Sequence, residues 1–299
     1  MATLDMTGVR DGYADLGNTR LHYVESGEGP LVVLLHGFPE FWFSWRFQVP
    51  ALAAAGFRVV APDMRGYNLS SRPRGVPAYD IDCLAGDIRD LIRERGAESA
   101  FLAGHDWGAA VAWATAMNHP QVVGRLAILN VPHPRRLLHG LRSPRQLVKS
   151  WYMFLFQLPW LPERLARARR WWFFRSGFEH DARPGAFTPT DIDRYVEAWS
   201  QPGAATATIN YYRAVFRQSP RRAEARIRPV DAPTLVIWGE RDRYLGAELA
   251  EPDQADVPNV ERVVRLPNAS HWVQHDEPER VNQLLAEFFA TRAQATPAA

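Results

Sequence analysis

The chain has 299 residues, 46% of them apolar and 23% charged, enough to bury a full core in one large domain or a domain with an insertion. Its formal charge of +2 comes without long basic runs, which argues against nucleic acid as a partner. One cysteine allows no intrachain disulfide and says nothing of the compartment. With no basic and apolar leader in Met-Ala-Thr-Leu-Asp and no run near the ~20 apolar residues of a bilayer span, the default is a soluble cytoplasmic protein without stable membrane insertion.

Upstream, 12–16 and 20–25 read as an antiparallel pair joined by a Gly-Asn turn. Short continuous apolar runs at 31–36, 57–61, 100–103 and 126–129 fit strands of a parallel sheet covered on both faces. A fifth strand of this kind, 234–238, follows a long gap, and 263–266 is a further apolar segment. Helical patterns such as 81–95 and 109–118 lie between them, so the fold class is α/β with a mostly parallel sheet. Cys83, on the first of these helices, reads as a small buried residue. Lys149 is the only lysine, a mark of composition rather than of binding.

From about residue 133 to 225 the chain is rich in aromatics, Arg and Pro and shows helices without strands. The expected organisation is therefore a core over 1–132, a helical insertion over 133–225, and the rest of the core over 226–299. An alanine-rich C-terminal tail is expected to fray.

The strand 100–103 runs into Gly104-His105-Asp106-Trp107-Gly108, with a helix beginning near Trp107. This is the G-x-S-x-G frame of an α/β-hydrolase nucleophile elbow with a carboxylate in the serine position. The flanking glycines allow a sharp strand–turn–helix corner that exposes Asp106 at a helix N-terminus, where the dipole favours its ionised form. An ordinary N-cap accounts for the Asp but not for the glycines.

In this architecture the chain order is nucleophile, acid, histidine. His271 is the base and Asp242 its orienter, with Glu240 a weaker candidate because it comes earlier in the same turn. His271 and His275 have the spacing of a metal pair, but no third ligand is evident, so no metal is expected. His119, His133, His139 and His180 have no nameable partner. The loop His36-Gly37-Phe38-Pro39 follows a strand and faces the elbow, so the backbone N–H groups of Phe38 and Trp107 form the oxyanion hole. Among Tyr152, Tyr195, Tyr211 and Tyr212 the pattern alone does not choose.

Together with Asp63-Met64-Arg65-Gly66-Tyr67, Asn130-Val131-Pro132-His133-Pro134 and Ala269-Ser270-His271-Trp272, these segments resemble the epoxide hydrolases of the α/β-hydrolase superfamily over nearly the whole chain. The resemblance implies a cis Phe38–Pro39 bond and a helical cap carrying two tyrosines that hold and protonate an epoxide oxygen. Trp151-Tyr152-Met153-Phe154-Leu155-Phe156-Gln157 resembles the first tyrosine motif and Asn210-Tyr211-Tyr212-Arg213 the second, which nominates Tyr152 and Tyr212. Neighbouring helical residues point about 100° apart, so Tyr211 and Tyr212 cannot both face the ring.

The expected reaction is hydrolysis of a small hydrophobic epoxide to a vicinal diol through an alkyl ester on Asp106, with no cofactor. Phe38, Pro39, Trp107, Trp151 and Phe156 are the expected substrate contacts. Trp151, Phe154, Phe156, Trp160, Trp171–Phe174 and Phe178 imply an apolar pocket, and the Arg-aromatic stretch 164–175 reads as a cap helix with aromatics inward and Arg outward. Haloalkane dehalogenases share the Asp nucleophile and the adjacent Trp, but often carry Asn where this chain has Phe38. Fluoroacetate dehalogenases carry Arg where it has Trp107. A binding protein that has lost catalysis would not be expected to keep Asp106, Asp242 and His271, and a serine esterase lacks its hydroxyl here.

Overall fold

The computed structural model describes residues 8–291; the start read for a signal and the alanine-rich tail lie outside them. Eight strands form one sheet: β1 (Arg10–Asp15), β2 (Arg20–Ser26), β3 (Leu31–Leu35), β4 (Arg58–Pro62), β5 (Ala100–His105), β6 (Val123–Leu129), β7 (Thr234–Gly239) and β8 (Val260–Leu266). Their order is β1-β2-β4-β3-β5-β6-β7-β8. The β1–β2 and β2–β4 pairs are antiparallel and the others parallel. The α/β reading with a mostly parallel sheet therefore holds. The first hairpin turns through Leu16–Thr19, where Gly17 takes a φ of +82°, a region open to glycine. β5 continues through Gly104 and His105, beyond the apolar run, because its pairing with β6 persists to Leu129.

Helices α1 (Gln48–Ala54), α2 (Ile81–Glu94) and α3 (Trp107–Asn118) follow β3, β4 and β5, and α11 (Val273–Asp276) and α12 (Pro278–Ala290) follow β8. Side chains alternate across each strand, so β3 serves two cores. Val33 and Leu35 join the cluster with α2 and α3, while Val32 and Leu34 join the one with α1 and α12. On α2 the buried apolar positions are Leu84, Ala85, Ile88, Leu91 and Ile92, a helical stripe that leaves Cys83 outside. Cys83 is exposed, contrary to the buried position expected of it.

Between β6 and β7 the chain builds α4 (Pro134–Gly140), α5 (Pro144–Lys149), α6 (Trp151–Leu155), α7 (Leu161–Ser176), α8 (Pro189–Trp199), α9 (Ala204–Phe216) and α10 (Pro220–Ala225). α7 is broken: Ala168 is extended, and Arg169, Arg170 and Trp171 have positive φ. At and after the break Trp171 and Phe174 are buried, but Trp172 is exposed. The inward orientation expected for this stretch therefore holds only in part. Phe154 and Trp160, also expected in the pocket, are exposed as well. Among the described residues no helix is long and apolar enough to cross a membrane.

Candidate active site

β3 and β5 are parallel neighbours with Leu35 opposite Gly104, so the loop 36–39 and the turn at 106 emerge side by side at the carboxyl edge of the sheet. Open α/β sheets bind ligands at this edge. Neither elbow glycine has a positive φ; their contribution is room. A Cβ on Gly108 would lie 2.0 Å from the Leu35 carbonyl oxygen, and one on Gly104 would lie 2.5 Å from that of Gly108. The strained residue is Asp106 itself, at φ 47° and ψ −122°.

Asp106 occupies the N-cap position of α3, yet its side chain makes no capping bond. Its Oδ1 instead accepts the Phe38 amide at 2.6 Å, and Oδ2 lies 3.6 Å from His271 Nε2. The carboxylate is thus turned toward the cavity rather than toward its own helix. Phe38–Pro39 is cis. The Trp107 amide makes no hydrogen bond to Asp106 among the described residues, so of the two expected oxyanion donors only Phe38 is engaged.

On the far side, His271 Nδ1 donates to Asp242 Oδ2 at 2.7 Å. Asp242 also accepts the Tyr244 and Leu245 amides (2.6 and 2.9 Å) and Asn130 Nδ2 (2.8 Å). Burial pushes its carboxyl up, but His271 and these donors outweigh burial and hold it below the usual range. Glu240 is exposed and ion-paired with Arg265, which removes it as the orienter. Burial would lower the His271 imidazole; the Asp242 and Asp106 carboxylates outweigh it and raise its pKa to about 10. Between two carboxylates the ring is therefore protonated at neutral pH.

The helical side supplies Tyr152 from α6 and Tyr212 from α9, with ring centroids 5.8 Å apart. Tyr212 packs edge-on against Phe38, Trp107 and Phe156. Burial raises both phenols above their ordinary value, so they are held as proton donors. Tyr211 faces away, donating to the Arg65 carbonyl at 2.6 Å, and Tyr195 is buried against Phe178 and Trp199.

Two cavities meet at these groups. One, about 210 Å³, is lined by Phe38, Pro39, Trp151, Phe156, Tyr244 and His271; the other, about 240 Å³, by Trp107, Val131, Leu137, Met153 and Val215. Asp106, Tyr152 and Tyr212 line both. Every expected substrate contact thus lies on one cavity or the other. Larger depressions of about 470 and 480 Å³ lie elsewhere on the surface, and Asp106 lines neither.

Several supporting residues escaped the sequence reading. Glu40, fully buried, accepts the Gly37 amide at 3.0 Å and faces His105 Nδ1 at 2.8 Å and His275 Nε2 at 2.9 Å. Burial pushes its carboxyl up, yet the two histidines hold it well below the usual range. His105 Nε2 donates to the His271 carbonyl at 2.9 Å, so this network joins the first loop, the elbow and the base. His275 is engaged on both sides, by Glu40 and by Arg46 Nη1 at 2.8 Å, rather than paired with His271. Asn130 braces both Asp242 and the Gly239 amide. Arg213 binds Glu163 at 2.6 Å and the Phe156 and Leu158 carbonyls, tying α9 to the chain after α6. Lys149 Nζ donates to the Asp242 carbonyl at 2.8 Å, giving the lone lysine a structural role. A single polar residue in the sequence announces none of these.

Residues 30–278 match the family described as alpha/beta hydrolase fold. The chain is 41% identical to the AB hydrolase superfamily protein YfhM of Bacillus subtilis, over 95% of this chain and 99% of that protein. It is 40% identical to Epoxide hydrolase 4 of Homo sapiens, over 90% of this chain and 75% of that one. Among solved structures it is similar to an epoxide hydrolase of Bacillus megaterium in complex with an inhibitor. That likeness has a TM-score of 0.85 and 32% identity, covering 94% of this chain and 100% of the other. The chain belongs to the epoxide hydrolase family of the α/β-hydrolase superfamily.

Proposed function

We propose that this chain converts a hydrophobic epoxide and water to a vicinal diol, with 133–225 acting as a cap over a core made of 1–132 and 226–299. The observation that carries the reading is the convergence of a carboxyl group, Asp106, and two buried phenols, Tyr152 and Tyr212, on the same cavities. An epoxide needs a nucleophile at carbon and an acid at oxygen, and these are the two kinds of group present.

Asp106 attacks a ring carbon, the carbon–oxygen bond breaks, and a tyrosine hydroxyl protonates the departing alkoxide. Esterification removes the Asp106 charge, so His271 loses one of the two carboxylates that keep it protonated. Its proton returns to the tyrosinate, leaving a neutral imidazole oriented by Asp242. That imidazole takes a proton from water as the oxygen adds to the ester carbonyl. The Phe38 and Trp107 amides receive the oxyanion, and collapse expels the diol, which keeps the second proton of the water. Asp106 is again a carboxylate and His271 again protonated. No metal or cofactor enters the sequence.

The two cavities support an epoxide with substituents on both ring carbons, one in each arm. A single turnover in oxygen-18 water tests the covalent route. Label is expected in the Asp106 carboxylate; label entering the diol directly in that first turnover overturns it.

A further inference from the structure

Twelve large apolar side chains are exposed among the described residues, and ten of them lie between 147 and 216. The helical insertion thus carries nearly all of the exposed apolar surface that the core avoids. Val148 (72% exposed), Trp151 (54%), Phe154 (49%), Leu158 and Trp160 (63%) fall within a short stretch, and Trp151 and Phe154 lie three residues apart on one face of α6. Trp151 packs on Phe173, whose neighbour Trp172 is 53% exposed. A grouping of this kind marks an interaction surface rather than scatter.

The charge around it is one-sided. Residues 134–178 hold ten basic side chains and one acid, Glu163, which is buried against Arg213. Arg142, Arg145, Arg164, Arg167 and Arg169 are exposed, and none makes an ion pair among the described residues; other arginines of the stretch do. Trp151 also lines the 210 Å³ cavity, so the patch reaches the rim of the active site.

We propose that this face of the insertion docks reversibly on an anionic lipid surface, with its tryptophans in the interface and its arginines on lipid phosphates. Indole rings and arginines are the side chains suited to that boundary, one seated among acyl chains and the other at headgroups. A second copy of the chain is the less suitable occupant, because a symmetric contact through this face would bring two cationic surfaces together. Docking here would present the cavity rim to apolar compounds dissolved in the bilayer.

The test is co-sedimentation of the whole protein with vesicles of phosphatidylcholine, with and without phosphatidylglycerol, a readout independent of turnover. Binding is expected only with phosphatidylglycerol present, and is lost near 1 M salt, where screening acts within roughly 3 Å. Arg164→Glu with Arg167→Glu should lower partitioning at least about tenfold, and Trp160→Ser with Trp172→Ser should also weaken it. Neither pair touches the cavities, so hydrolysis of a water-soluble epoxide should be unchanged. Absence of binding to the anionic vesicles, or binding that both pairs leave intact, overturns the proposal. So does a concentration-dependent dimer that the tryptophan pair dissolves, which would assign the face to a second copy.

Discussion

On the sheet side of the cavity Asp106, Asp242 and His271 are each fixed by directional hydrogen bonds to neighbouring loops. On the helical side Tyr152 and Tyr212 are oriented chiefly by ring packing, with Phe38, Trp107 and Phe156 around them. Rings held by dispersion can tilt and re-pack, whereas Asp242, with four donors, has one low-energy position and fixes His271 with it. The difference suits the two tasks. In the proposed reaction the nucleophile and base must meet one ester geometry, while the phenols must follow an oxygen whose position depends on the substrate. Besides these ring contacts, polar links join the halves: Lys149 to the Asp242 carbonyl, Gln146 to the Tyr244 carbonyl, and Tyr244 to Asp181 at 2.6 Å.

If the sheet side holds the machinery of ester hydrolysis, His271→Gln should leave epoxide opening and stop the second half of the cycle. Turnover is expected to fall about 10⁴-fold, and intact-mass measurement should show one substrate equivalent on the protein. An unmodified protein after exposure to substrate would detach His271 from that step. On the helical side, Tyr152→Phe or Tyr212→Phe alone should cost about 10²-fold in single-turnover ester formation, and the double variant should abolish it. Wild-type rates in both single variants would mean that one phenol suffices.

Asn130→Ala probes how much the hydrogen-bonded scaffold matters. It leaves Asp242 its backbone donors and His271, and should reduce kcat by roughly 10-fold to 100-fold with little change in KM. A KM effect alone would place Asn130 in substrate binding instead. A separate test concerns pH. Because the folded state raises the His271 pKa from 6.5 to about 10, its charge stabilises the protein fully below about pH 6.5, and this contribution is lost as pH rises through about 10. Denaturation midpoints of the wild type should therefore fall toward those of His271→Gln across that window; parallel curves would contradict the raised value.

Asp106 was legible because its signature is local: a buried strand, two glycines and a helix start. His271 and Asp242 were legible from chain order and strand ends. Asp242 bonds His271 in the structure, whereas Glu240 stands outside with Arg265. Tyr152 and Tyr212 came only through the family resemblance, since an aromatic on a helix reads the same whether it lines a cavity or a core. Glu40, His105 and His275 were not legible, because 235 residues of chain separate Glu40 from His275 and only the fold makes them neighbours.

The sequence alone determined the alternation of strands and helices, the helical insertion and the position of a carboxylate at the elbow, because these rest on short-range patterns of apolar residues and glycine. Tertiary structure decided which polar groups meet. The β3–β5 pairing sets Phe38 on Asp106, the β6–β7 pairing brings Asn130 to Asp242, and α9 turns Tyr212 inward and Tyr211 away. It also decided that Trp160 and Trp172 face outward rather than into the pocket. A residue's exposure depends on what packs across from it, and that partner lies elsewhere in the chain.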